Sequence, residues 1–146
     1  KAMSVGSPCV DWVVKNIDFK EISLSQAPEI ELMDYTAELF KMDHPLETYG
    51  FVLKKNSKIL FTYTSDTKWS HNIEFILKEK SKIILIDLNG EPGDPSPVHV
   101  SEQELIQNGI KLVHPKAVFY GTHLRRFKKS GHPMIRYAEP GMEIEI

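Results

Sequence analysis

The chain has 146 residues, the length of a single domain. Hydrophobic residues at 41% and charged residues at 26% describe a globular chain with a real core and exclude a disordered tail. A net charge of −2 leaves no overall field to draw it to nucleic acid or anionic lipid.

In chain order, Ser7 and Pro8 supply a cap and a first helical position for a short helix through Val14. Strands are predicted over 19–24, 29–35, 38–42, 49–54 and 58–63. The last two are joined by the short polar turn Lys55-Asn56-Ser57 as a hairpin. Trp69, Ile73, Ile76 and Leu77, with charges between them, predict an amphipathic helix over 69–80. The aliphatic run KIILIDL over 82–88 reads as a strand buried on both faces. The stretch 91–97 carries three prolines and a glycine and reads as loop. Ser101 and Glu104 form a capping box that opens a second helix towards Gln107. A buried strand over 116–120 follows. A terminal hairpin is then expected, with strands 134–137 and 142–146 around Glu139-Pro140-Gly141. The order predicts a layered α/β architecture with a mixed, mainly antiparallel sheet and helices on one face.

The single cysteine, Cys9, excludes an internal disulfide, reads as a structural thiol and fits a reducing, cytoplasmic setting. No apolar run approaches the roughly eighteen residues of a membrane span. Trp12 and Trp69 read as packing anchors, and His71, His114 and His132 as solvated or turn residues. Asp87 ends the aliphatic run and reads either as an acceptor that fixes the following loop or as a catalytic carboxylate. The basic cluster Arg125, Arg126, Lys128 and Lys129 is either a solvated surface or a contact for a phosphate-bearing partner.

Three residues stand apart. His44, Asp66 and His123 each follow a strand-like run, in MDHPLETYGFVL, ILFTYTSDTKW and AVFYGTHLRR. Imidazole and carboxylate delivered by strand ends to loops are the ligand types of a divalent metal site. There is no H-x-H pair and no second cysteine, so the three can form only part of one.

From His44 to Thr67 the chain resembles the second half of the metallo-β-lactamase superfamily. A histidine precedes a Y-G-F-V-L strand, a hairpin follows, and Y-T-S-D-T supplies a carboxylate. The tail, with a strand ending in T-H-L and then A-E-P-G-M-E-I-E-I, is similar to the same family. The likeness is closer to its tRNA-processing and cyclic-nucleotide phosphodiesterase branches than to the lactamases.

The resemblance implies a metal-dependent hydrolase of phosphodiester type, with a nucleotide or nucleic-acid substrate. It implies two divalent ions, zinc or else manganese or iron, with His44 completing one ligand set, Asp66 bridging and His123 completing the other. His99, in P-V-H-V-S-E, would contact substrate or donate a proton to the leaving oxygen. The family's H-x-H-x-D-H has no counterpart here. The chain, 1–146 as one domain, is therefore expected to be the carboxyl-terminal part of such a fold and to bind metal poorly alone. Its open sheet face is expected to meet the missing amino-terminal half or a second copy. The rival expectation is a non-catalytic interaction module that keeps the fold without a complete metal site.

Overall fold

A computed structural model describes residues 29–94, 97–122 and 130–146. The helix expected from Ser7, the strand over 19–24 and the cysteine's surroundings lie outside them. Seven strands form one sheet in sequence order: β1 Glu29–Leu32, β2 Tyr35–Lys41, β3 Tyr49–Lys55, β4 Lys58–Tyr63, β5 Ile83–Asp87, β6 Val118–Thr122 and β7 Ile135–Tyr137. The first four make an antiparallel meander, and β4 to β7 pair in parallel.

The meander follows from its turns. Asn56 and Ser57, at φ of 48° and 65°, form the two-residue loop between β3 and β4. Two positive φ values are what a type I′ hairpin turn demands, and Asn accepts that region readily. Met33, at φ 56°, makes a second tight turn, so the strand expected over 29–35 breaks into β1 and the start of β2.

Parallel pairing needs crossovers, and two are helical. Helix α1, His71–Leu77, links β4 to β5. It is shorter than the pattern over 69–80 suggested, because Trp69 is used outside it. Gly109 lies so close to the indole of Trp69 that a Cβ there would stand 3.1 Å from the ring. The capping box forms as expected: Glu104 N–H donates to Ser101 Oγ at 3.2 Å, and Ser101 N–H donates to Glu104 Oε2 at 2.9 Å. Helix α2, Glu102–Glu104, continues as a π-helical turn over Leu105–Gly109 and a 3-10 turn over Ile110–Leu112. Right-handed crossovers that advance the same way across a sheet put both helices on one face.

That face holds the core. Val52, Thr62, Ile84, Phe119 and Ile135 are successive register partners across five strands, and all are buried. Ile73, Ile76 and Leu77 of α1, with Leu105, belong to the same cluster. Thr62, the one polar member of the row, meets Ser81 Oγ at 2.5 Å, so its hydroxyl is not orphaned. On the other face runs a second row, Leu39, Phe51, Tyr63, Leu85 and Tyr120, all only half-buried.

Gly50 lies under α1 with no room for a side chain. A Cβ at this position would lie 2.6 Å from the Tyr63 carbonyl oxygen and 3.2 Å from Ile76 Cδ1. Because the nearer atom is backbone, Gly50→Ala is expected to destabilise by about 1–3 kcal/mol, measured by urea denaturation.

The strand expected over 116–120 begins two residues later, because Ala117 N–H donates to His114 O in a turn (2.8 Å). The terminal hairpin is half right. Its turn forms, with Gly141 at φ 83° and Met142 N–H donating to Glu139 O at 3.0 Å, but 142–146 is not a strand. β7 has three residues and is already paired with β6, too short an edge to template another strand.

Candidate metal centre

Strands β2, β4, β5 and β6 run in the same direction, so their carboxyl ends share one edge of the sheet. Loops there gather functional groups because the strand ends aim several segments at one crevice. His44 leaves β2 at this edge, Asp66 leaves β4, and Asp87 ends β5. Thr122, the register partner of Asp87, brings β6 to the same place.

Two loops are tied together before any chemistry is considered. Met42 N–H donates to Thr48 O at 2.9 Å and closes the segment that carries His44. The Asp43 N–H donates to the buried Thr67 Oγ1 at 3.3 Å, and the Lys68 N–H donates back to Asp43 O at 3.1 Å. The Lys68 ammonium also lies 3.4 Å from the Asp43 carboxylate. Asp66 is turned out of the strand line by Ser65, whose φ of 55° is in the left-handed region. Just before it, Thr64 N–H still donates to Leu85 O at 3.0 Å. The chain is thus held to the sheet up to Thr64 and bent sharply to present Asp66. Strained backbone of this kind clusters at functional sites.

Asp66, Asp87 and His99 each offer a ligand atom, and these atoms all lie within 4.8 Å of one another. Two metal–ligand bonds of about 2.1 Å at a tetrahedral angle place donors roughly 3.4 Å apart, so an ion would draw the cluster together. Two carboxylates and an imidazole suit a borderline or hard divalent ion such as zinc, manganese or iron. The chemistry of the donor set therefore fits.

Asp87 is the best anchored of the three. It is 2% exposed. Its Oδ1 accepts from the Asn89 backbone N–H at 3.1 Å and from the Asn89 side-chain amide at 2.6 Å. Its Oδ2 lies 2.5 Å from His99 Nδ1. An ionised carboxylate only accepts, so Nδ1 carries the proton and the lone pair of His99 is left on Nε2. This carboxylate–imidazole arrangement orients a ligating histidine and raises its basicity. Burial pushes the Asp87 carboxyl above its ordinary range, while His99 and the Asn89 amides oppose that by stabilising the ionised form.

The His44 ring lies beside the His99 ring, centroid to centroid 5.9 Å. Leu46 N–H donates to His44 Nδ1 at 3.3 Å, which puts the proton of a neutral ring on Nε2. That bond is long and weak, so little opposes the other tautomer.

Of the residues singled out in the sequence, Asp66 and His99 are brought into one cluster and His44 lies next to it. His123 lies outside the described residues, as do the basic positions from Arg125 to Lys129. Asp87 was read as a loop-fixing acceptor or a catalytic carboxylate, and it does bind the Asn89 N–H; its contact with His99 was missed. The available signal was an acid ending a buried strand, followed by a Pro-rich loop that returns a histidine just before a capping box. His114 and His132 serve turns, with Nδ1 accepting from the N–H of Lys116 at 3.0 Å and of Met134 at 3.3 Å.

No family model and no curated protein matches the sequence. Solved structures do match in fold. A diphosphatase from the PhnP family aligns with a TM-score of 0.59 at 16% identity, over 92% of this chain and 51% of its own. The isothiocyanate hydrolase from Delia radicum gut bacteria gives 0.53 at 14%, over 65% and 42%. Igni18, a metallo hydrolase from the hyperthermophilic archaeon Ignicoccus hospitalis, gives 0.51 at 18%, over 90% and 54%. The chain thus spans about half the length of the structures it matches. At this identity the likeness is one of fold, and the fold is the α/β layering of the metallo-β-lactamase type.

Proposed function

We propose that this chain is the carboxyl-terminal part of a divalent-metal-dependent hydrolase acting on a phosphodiester, with a nucleotide or nucleic acid as substrate. The observation that carries the reading is the convergence of Asp66, Asp87 and His99 at the carboxyl edge of a metallo-β-lactamase-type sheet. The match to a diphosphatase supports phosphorus chemistry.

In this reading Asp66 and the His99 Nε2 are the ligands this chain offers, and Asp87 holds the His99 ring in its tautomer. His44 stands beside them to complete the ligand set or donate to a substrate oxygen, and His123 is the further ligand. When bound, a divalent ion supplies Lewis-acid polarisation of a phosphoryl oxygen. The reading further assigns the basic positions Arg125, Arg126, Lys128 and Lys129 to phosphate attraction, and the whole to a reducing, cytoplasmic setting. Among the described residues no helix is long and apolar enough to cross a membrane.

A two-ion site needs at least three donors for each catalytic zinc, more than Asp66, His99, His44 and His123 supply, so the remainder must come from elsewhere. The half-buried row Leu39, Phe51, Tyr63, Leu85 and Tyr120 offers an apolar surface on the face away from the helices. Together with the half-length match, it supports docking of an amino-terminal half of the fold, with a second copy of the chain as the other occupant.

One observation favours the rival reading, an interaction module without metal: both Asp87 oxygens already accept hydrogen bonds within the chain. Metal analysis separates the two. Dialysed against zinc or manganese together with a chain bearing H-x-H-x-D-H, the protein is expected to retain metal, and Asp66→Ala to weaken retention by about 100-fold or more, beyond the 10–100-fold of an outer-shell change. Addition of a chain bearing H-x-H-x-D-H should bring hydrolysis of bis-p-nitrophenyl phosphate. Retention that is absent, or equal in Asp66→Ala, assigns the chain to the module.

A further inference from the structure

On the helix side of the sheet, lined by none of Asp66, Asp87 and His99, lies a cavity of about 370 Å³. That is within the range of small-molecule sites. Its floor is Leu88, which is buried, and the backbone of Gly90, tied down by its N–H donating to Val100 O at 2.9 Å. Gly90 has no spare room: a Cβ there would lie 2.5–2.7 Å from three backbone atoms of the strand-like return through Val100. One wall comes from β7 through Tyr137, and another from Glu102 and the π-helical turn through Ile106 and Gln107.

Two features distinguish this cavity from a packing defect. The first is the π-helical turn itself. Five-residue hydrogen bonding is unfavourable, and single π turns persist mostly where a function requires the altered side-chain placement. Here the turn contributes Ile106, 40% exposed, to the cavity lining. The second is the charge. Glu91 and Glu102 both line the cavity, and among the described residues none of its lining is basic. Among the described residues no lysine or arginine pairs with either.

Glu102 is held in place. The Ser130 hydroxyl donates to its Oε1, and the Tyr137 hydroxyl donates to its Oε2 at 2.7 Å. Each carboxylate oxygen keeps a second acceptor site after these bonds. Burial, the hydrogen bond to Glu102 and the charges of Glu102 and Glu91 push the Tyr137 phenol well above its ordinary range. The phenol therefore remains a donor at any physiological pH, and both carboxylates are felt at the same point.

We propose that this cavity binds a small organic cation, an amine or guanidinium on an apolar body. The ammonium would sit between Glu91 and Glu102, and the apolar body against Leu88, Pro92 and Ile106. A pair of carboxylates with apolar walls, Glu102 held by its hydrogen bonds and Glu91 at an exposed position, favours a cation over an isosteric neutral or anionic ligand. The site uses none of the residues assigned to metal, so it stands independently of the hydrolase reading.

Benzylamine is the probe, titrated calorimetrically into the protein in EDTA so that metal coordination does not contribute. Benzyl alcohol and benzoate are the controls of equal size. Benzylamine is expected to bind with a Kd of about 1 mM or tighter, and both controls at least about tenfold more weakly. Glu91→Gln, at an exposed position, should weaken the amine at least about fivefold without moving the melting temperature. Ile106→Trp, at the partly exposed π turn, should block it. Equal binding of all three probes, no heat with benzylamine, or undiminished binding in a folded Glu91→Gln protein would overturn the proposal.

Discussion

Replacing Asp87 with asparagine is expected to raise the melting temperature of the metal-free protein while weakening divalent-metal binding by about 10–100-fold. The two effects have opposite signs because they act on different states of one group. Asp87 is buried, and its folded-state pKa is raised above the ordinary 3.8, desolvation being the largest cause. A raised carboxyl binds its proton more tightly in the folded chain than in the unfolded one. Its favourable contribution is therefore complete below the unfolded value and is lost as pH rises through the folded value. At neutral pH the ionised group is a net cost to the metal-free fold.

Asparagine removes that cost and keeps an oxygen to accept from the Asn89 N–H or from His99. It loses the negative charge that stabilises His99 as a ligand. Thermal melts in EDTA from pH 4 to pH 8 should show the variant ahead at neutral pH, with the gap closing towards pH 4. A variant that is less stable at pH 7, with a gap independent of pH, would show that the hydrogen bonds of Asp87 outweigh its desolvation.

The largest loss of stability should follow Phe119→Ala, about 3–5 kcal/mol. Phe119 is fully buried and sits in the row of register partners between Ile84 of β5 and Ile135 of β7. Its removal opens a cavity between parallel strands, whose backbones are fixed on both sides and cannot close in. Against a typical stability of about 5–15 kcal/mol, the variant stands near the edge of folding. Phe75→Ala is the matched control. Phe75 is 52% exposed on α1, and its loss should cost about 0.5 kcal/mol or less. Urea midpoints of the two variants give the comparison directly, and similar shifts in both would mean that the helix face is not the core.

The match between pattern and structure is closest where local sequence carries the cause. The Asn56-Ser57 turn, the Ser101–Glu104 capping box and the aliphatic run of β5 were each legible because backbone geometry or continuous burial leaves a signature within a few residues. The second strand of the terminal hairpin failed because alternating apolar residues need a partner edge long enough to pair with, and three-residue β7 is too short to offer one. The upstream limit of α1 failed for a related reason. Trp69 fits the helical period, yet its ring is committed to Gly109, which is far away in sequence.

The candidate site divides in the same way. Composition and motif spacing determined an α/β domain and nominated His44, Asp66 and His123, because ligand-type side chains after strand-like runs are visible one segment at a time; His99 was nominated only by the family resemblance, as a substrate contact or proton donor. Which of them meet was decided only by the parallel register that sets Asp87 opposite Thr122, and by the loop that returns His99 to Asp87. No periodicity encodes that meeting. It depends on the direction of neighbouring strands, which hydrophobic burial across the whole sheet selects.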